Sequence, residues 1–276
     1  MIENSVLVIA KKEIMDNFRN KWIIVLCITF AIIAIFSSFF GSFGKGWSNF
    51  DDTMNFMIFF LQFLIPIIGL MIGYASIGKE VETGTMSSLI SFPVTRFEII
   101  LGKFLGLGAV LSGSIFIGFL VAGFIIGINV PNADYGEYFI FIIESIILGL
   151  VFLSIAMAFS SFTKRRSTAM GASIFSWFFF SMIWGIMLLG IGFMVRDESG
   201  YLFPEWLYSL NIISPVASYV ALIALKVDRI FTIATLSSDK DYFPSFYSDG
   251  ILVMIMLIWI LTMFILAYWA FNKRDI

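Results

Sequence analysis

The stretch ILVMIMLIWILTMFILAYWAF, residues 251–271, carries no charged side chain along its whole length. A helix that crosses the hydrocarbon core of a bilayer needs about 20 predominantly apolar residues. Upstream of it, comparable apolar runs cover residues 22–40, 54–77, 104–128, 138–162 and 168–195, the last long enough to be tilted or broken. The composition agrees: 60% of the 276 residues are hydrophobic and 13% charged, against about 25% charged in a soluble domain. Mean hydropathy is +0.98. The predicted fold class is all-α, a polytopic membrane protein with six transmembrane helices in a single domain over residues 1–276.

The run at 22–40 follows a segment of mixed polarity and is followed by Phe39-Phe40-Gly41-Ser42-Phe43, without the small-x-small pattern of a cleavage site. It reads as a retained span, not a signal peptide. Six spans put both termini on one side. Twelve of the 17 Lys and Arg residues then fall on that side, in the N-terminal segment, the 78–103 loop, the 163–167 turn and the tail. The excess of Lys and Arg marks the cytoplasmic side, so both termini are expected in the cytoplasm and the protein in the cell membrane. Residues 206–225 are also largely apolar, and a seventh span there would divide the basic residues 13 against 4. The charge rule therefore does not choose between six and seven spans. Asn211, Ser214, Pro215 and Ser218 crowd the centre of this segment, which favours a re-entrant hairpin in the outer loop 196–250, before the last span. Broken backbone of that kind is tolerated where protein or a water-filled cavity satisfies it. No internal repeat is visible, which argues against an inverted-repeat secondary transporter.

Much chemistry is closed to this chain. It has no histidine and a single cysteine, Cys27, which removes Ser-His triads, His-ligated metal sites and internal disulfides. No G-x-x-x-x-G-K-[ST] phosphate loop occurs, since Gly102-Lys103 is followed by Phe104. A net charge of -2 offers no footprint for nucleic acid.

Two polar segments stand out. In residues 1–21, Ile2, Val6, Ala10, Ile14 and Phe18 recur every four residues with Lys11, Lys12, Asp16 and Arg19 elsewhere around the helix, the pattern of an amphipathic interfacial helix. Residues 78–103 combine Lys79, Glu80, Glu82, Gly84 and Thr85 with Pro93, which disfavours helix at Phe92. Thr95 followed by Glu98 is a capping box that starts the next helix. Gly84 is placed where a helical turn ends with positive φ. The expected form is a short polar helix, a turn and a new helix entering the membrane: a knob against which another protein can dock, or a solvated loop with scattered charges.

Lys79-Glu80-x-Glu82-x-Gly84-Thr85, followed by Leu89, Pro93, Arg96 and Gly102-Lys103, resembles the cytoplasmic coupling segment of ABC type 2 permeases. Ala10-Lys11-Lys12-Glu13 with Arg19 and Trp22 is similar to that family's N-terminal helix, and Ser214-Pro215 with Tyr219 to its outer segment before the last span. Ser214 stands where some members have Asn. The ending Phe271-Asn272-Lys273-Arg274-Asp275-Ile276 looks like the NosY-like branch, whose transporter assists nitrous oxide reductase maturation. The resemblance implies a transport subunit that binds no cofactor itself and is moved by a separate ATPase, with ATP and Mg on that partner. Two permease copies, a homodimer being the expected form, would assemble with two ATPase copies in the lipid bilayer. It implies coupling roles for Lys79, Glu80, Glu82, Gly84, Thr85 and Arg96.

Within the spans, Glu144 is an intramembrane acid, and Gln62 and Pro66 interrupt the second span; the three are candidates for lining a translocation path. Glu144 could equally snorkel or bond a neighbouring Ser, and Gln62 and Pro66 could serve a buried kink. The spacings Gly69-x-x-x-Gly73, Gly102-x-x-x-Gly106 and Gly123-x-x-x-Gly127 permit close helix contact, within the protomer first. The leading function is the permease of an ABC exporter. The alternatives are a stand-alone secondary transporter or channel, and a scaffold that passes force to an extracytoplasmic partner.

Overall fold

The computed structural model describes residues 5–19, 21–40, 50–86, 91–130, 134–195, 203–227, 236 and 243–274. Among them every regular element is helical: α1 Ser5–Arg19, α2 Trp22–Phe40, α3 Phe50–Gly73, α4 Gly78–Glu82, α5 Arg96–Asn129 and α6 Tyr135–Phe162. Then follow α7 Arg166–Phe178, a π-helical turn Phe179–Ile183, α8 Trp184–Met194, α9 Glu205–Asn211, α10 Pro215–Ala224 and α11 Asp249–Asn272. Leu89 of the coupling motif and Asp275 of the tail lie outside the described residues.

Five stretches are long and apolar enough to span: Phe50–Glu82, Arg96–Asn129, Tyr135–Phe162, Arg166–Met194 and Asp249–Asn272. The 19 residues of α2 reach about 28 Å at 1.5 Å per residue and make the sixth. α1 meets the second helix at 70°, the chain turning at Lys21 with φ 57°. It therefore runs across the bundle end, as an interfacial helix must.

Local signals account for the helix ends. The Thr95 hydroxyl accepts from the Glu98 N–H while the Glu98 carboxylate accepts from the Thr95 N–H, satisfying two of the donors that a helix start leaves open. The Asp134 carboxylate accepts from the N–H groups of Gly136 and Glu137 and starts α6. Because the box places the start of α5 at Arg96, the helix begins eight residues before the apolar run at 104, and Lys103 lies inside it. The second span likewise shifts, running from Phe50 with Asp51 and Asp52 in its first turn, where acids complement the helix dipole. The long fifth run is broken neither by proline nor by a loop: one π-helical turn, carrying Phe179 and Phe180, joins α7 to α8.

α6 is the axis. Two thirds of its apolar window is buried, 67%, against 17% for Arg166–Met194 and for α11. Three pairs of small residues let helices approach within the protomer. A Cβ on Gly69 would stand 2.7 Å from the Gly149 carbonyl of α6, and one on Gly73 2.7 Å from the Ala156 Cβ. Gly102 and Gly106 of α5 take α1 in the same way, the Ala10 carbonyl lying 2.7 Å from a Cβ at Gly106. Gly123 and Gly127 receive the rings of Tyr138 and Tyr135.

That α1–α5 contact corrects the face of α1 expected from the four-residue recurrence. Ile9 and Ala10 are buried and Val6 and Glu13 touch the α5 glycines. Phe18 is 58% exposed and Leu7, Val8 and Met15 are exposed with it. An α-helix turns through slightly more than 360° in four residues, so the row 2, 6, 10, 14, 18 drifts off any one partner. Spacing of three and four keeps the packed face on α5.

The outer segment is a hairpin of two short helices, α9 and α10, meeting at 115°. Neither arm, 7 and 10 residues long, crosses a bilayer. All ten residues of α10 are buried. The carbonyls at the bend are each met by a side chain: Asn211, which also accepts from the Ser214 N–H, by the Trp184 indole N–H at 3.3 Å, Ile212 by the Ser218 hydroxyl at 2.6 Å, and Ile213 by the Trp259 indole at 2.8 Å. The break is thus satisfied by protein, as a water-poor surrounding requires.

Candidate functional site

The end of the bundle that holds both termini is tied together by charge. Lys103 of α5, with a side chain only 2% exposed, places its ammonium 2.7 Å from the Glu13 carboxylate of α1 and 2.9 Å from that of Glu80 on α4. Lys12 reaches the same Glu80 oxygen at 3.3 Å. A buried ammonium is tolerable when charge and hydrogen bonds compensate it together, and here two carboxylates from two other helices do so.

α4 is held at three further points. The Ser160 hydroxyl of α6 accepts from the N–H groups of Ile77 and Gly78 at 3.1 and 3.0 Å, at the start of α4. At its end, the Glu82 carboxylate accepts from the Arg166 N–H at 2.6 Å, a carboxylate on the first turn of α7 where the helix dipole favours it. Gly84 then turns the chain with φ 73°, its N–H donating to the Val81 carbonyl at 3.2 Å. The Thr83 and Thr85 hydroxyls lie 3.0 Å apart, and both approach the Glu80 carbonyl. The short polar helix, its turn and the positive φ at Gly84 are therefore present as the sequence predicts.

The residues of this knob divide in two. Lys79, Glu82, Thr83, Gly84 and Thr85 are exposed, whereas Glu80 turns inward to Lys103. Arg96 does not join them. Its guanidinium donates to the carbonyls of Phe271, Asn272 and Arg274 at 2.7, 2.9 and 2.8 Å and stands over the Phe271 ring, capping the C-terminus of α11, where the helix dipole favours a cation. Arg274 in turn donates to the carbonyls of Ser160 and Thr163 at the end of α6. These contacts bring α1, α4, the α6–α7 turn and the tail to one end, the arrangement that six spans require.

The in-span candidates are separated. Gln62 and Pro66 are buried on α3, with the Gln62 amide donating to the Phe59 carbonyl at 3.4 Å. Glu144 sits on α6 about 14 Å from the start of the helix at Tyr135, deeper than a span beginning at 138 implies. It is buried and ion-paired with Lys226, just beyond α10. The adjacent Ser145 hydroxyl is 3.0 Å from the Tyr219 hydroxyl. Ser214 caps α10 through the Ala217 N–H at 3.4 Å, with Pro215 as its first residue. Tyr219 and Lys226 thus fasten the hairpin to Glu144 and its neighbour, which joins the outer candidates to one of the path candidates and leaves Gln62 and Pro66 apart.

Sequence reasoning missed Lys103, Lys226 and Ser160 as site residues. For Lys103 a signal existed: counting from the Thr95 cap puts it two turns into an apolar helix, where a lysine needs partners. Lys226 reads as one more loop cation, and Ser160 as one of several small polar residues in an apolar run.

A family model described as ABC-2 family transporter protein matches residues 7–276. The chain is 31% identical over 277 residues to the Probable ABC transporter permease protein NosY of Pseudomonas aeruginosa, covering 97% of this chain and 98% of that protein. It is 32% identical over 282 residues to the Probable ABC transporter permease protein NosY of Stutzerimonas stutzeri, covering 98% and 99%. With a match over nearly its whole length and relatives aligned end to end, the chain belongs to the ABC-2 family of transporter proteins.

Proposed function

We propose that this chain is the permease subunit of an ABC exporter, moved by a separate ATPase that docks on α4. The observation that carries the reading is the build of α4. Its exposed side, Lys79, Glu82 and Thr83-Gly84-Thr85, is free to meet a partner. Its inward contacts reach α1 and α5 through Glu80 and Lys103, α6 through Ser160, and α7 through Glu82. A push on so short a helix, 5 residues, is passed to four others with little freedom to dissipate. The chain has no phosphate loop of its own, so ATP and Mg belong on the partner. The proposed assembly is two permease copies with two ATPase copies, the termini and α4 in the cytoplasm of a cell-membrane protein. Glu82 contributes both outward exposure and an inward hydrogen bond. Arg96 contributes indirectly, by holding the last helix at the same end.

Gln62 and Pro66 on α3 are proposed to border the path, and Glu144 to hold its outer rim through Lys226. A second reading follows from that rim: movement of α6 reaches the outer hairpin through Glu144–Lys226 and Ser145–Tyr219, so the same subunit could pass force to an extracytoplasmic partner.

The test is reconstitution of the full chain with candidate ATPases in liposomes. Lys79→Glu together with Thr83→Arg should leave the permease folded, weaken complex formation and cut transport per ATP hydrolysed. Full activity of the chain with no ATPase present, or unchanged coupling in that variant, would refute the assignment.

A further inference from the structure

A cleft of about 630 Å³ opens between α1, α2, α3, α4, α5 and the start of α7 at the end that carries the termini. Its walls differ in chemistry. Leu26, Ile68, Met71, Ile72 and Leu107, from the spanning helices, form an apolar side, while Lys12, Lys79 and Arg166 stand on the polar side. Met71 is 53% exposed, so the apolar side is open laterally, where the bilayer lies. α1 forms one lip and crosses the bundle end with Leu7, Val8, Met15 and Phe18 exposed, which sets the cleft at interface depth.

The charges on the lining are unequal in their engagement. Glu13 and Glu80 are taken by Lys103 and Lys12, and Asp16 is the third carboxylate. Among the described residues, no carboxylate lies within ion-pair distance of the Lys79 ammonium or the Arg166 guanidinium. Both side chains line the cleft, and the Glu82 carboxylate is engaged by the Arg166 backbone N–H at 2.6 Å. A cleft that offers two cations without an ion pair beside an apolar wall suits a phosphate head on an acyl chain.

We infer that the cleft binds one anionic phospholipid, with its phosphate against Lys79 and Arg166 and an acyl chain along Leu26, Ile68 and Met71. The lipid fills the space between α1 and α4 and adds to their attachment. The inference rests on α1 lying in the interface and shares Lys79 with the face proposed to meet the ATPase; because the isolated permease carries every lining residue, lipid retention is read with no ATPase present.

The experiment is native mass spectrometry of the detergent-purified full chain titrated with phosphatidylglycerol, phosphatidylcholine, glycerol 3-phosphate or inorganic phosphate. One phosphatidylglycerol per chain should be retained in preference to phosphatidylcholine. K79Q/R166Q removes two interfacial cations and should weaken retention about thirtyfold. Met71→Trp, at a position 53% exposed, should weaken it without touching any charge, and serves alone if the double variant misfolds. Equal retention of the two lipids, unchanged binding in Met71→Trp and K79Q/R166Q, or competition by free phosphate as effective as by the lipid would overturn the inference.

Discussion

Replacing Lys103 with methionine keeps the length of the side chain and removes the charge on which three helices converge. In the native protein its ammonium is 2.7 Å from Glu13 and 2.9 Å from Glu80. At an effective dielectric near 20, one such pair attracts by about 6 kcal/mol before desolvation is subtracted. The net cost of removing one partner from a buried pair is about 3–5 kcal/mol, because the remaining charge is stranded. Glu13 and Glu80 keep 13% and 15% of their side chains exposed, and Lys12 still reaches Glu80 at 3.3 Å. Some hydration and one counter-charge therefore survive, placing the expected loss near the lower limit, about 3 kcal/mol. Thermal unfolding of the purified chain in detergent should show a melting temperature several degrees below wild type. In K103M/E13Q/E80Q no charge is stranded, and most of that loss should return. Coupling should not return, because the neutral triple variant has no strong link between α4 and α5. A lysine that served stability alone would give back transport per ATP along with the melting temperature. If K103M unfolds at the wild-type temperature and transports with wild-type coupling, the three-helix charge cluster is not what holds α4.

The outer pair invites a parallel cycle: E144Q should destabilise by about 3–5 kcal/mol, while E144L/K226M should recover most of it, read by thermal unfolding. Gly106→Val sets a Cβ 2.7 Å from the Ala10 carbonyl and 2.8 Å from the Glu13 Cβ; it should release α1 and expose Ile9 and Ala10, measured as faster hydrogen exchange across Ser5–Arg19. Gly84→Ala meets no atom within 4 Å but must adopt φ 73°, so it should cost about 1 kcal/mol without changing the neighbouring contacts. A loss well above that would mean that Gly84 has a role besides its backbone conformation. Trp259→Phe removes the donor to the Ile213 carbonyl at an exposed position and should cost about 0.5–1.5 kcal/mol, the net worth of one hydrogen bond.

The apolar runs, the capping box at Thr95 and Glu98, and the left-handed turn at Gly84 were all legible from one dimension. Each is a local free energy: about 20 apolar residues prefer lipid wherever they pack, and a cap satisfies donors within three residues of itself. The same locality explains why a short polar helix could be expected within residues 78–103 while its attachments could not. Ser160 is 82 residues from Gly78, and Glu13 is 90 from Lys103; no pattern along the chain encodes such pairings.

What the tertiary structure decided is where each polar group in an apolar setting finds its partner. Arg96, read with the coupling motif, is drawn to the end of α11 because the carbonyls of Phe271, Asn272 and Arg274 converge there. Residues 206–225 could be a span or a hairpin by composition and by charge count. They fold back because Trp184, Ser218 and Trp259 meet the three carbonyls of the bend, and because Lys226 is close enough to neutralise Glu144. The charge-free run at 251–271 by itself committed the chain to the membrane. In a medium that cannot solvate polar groups, it is their pairing across helices that selects one arrangement of the spans.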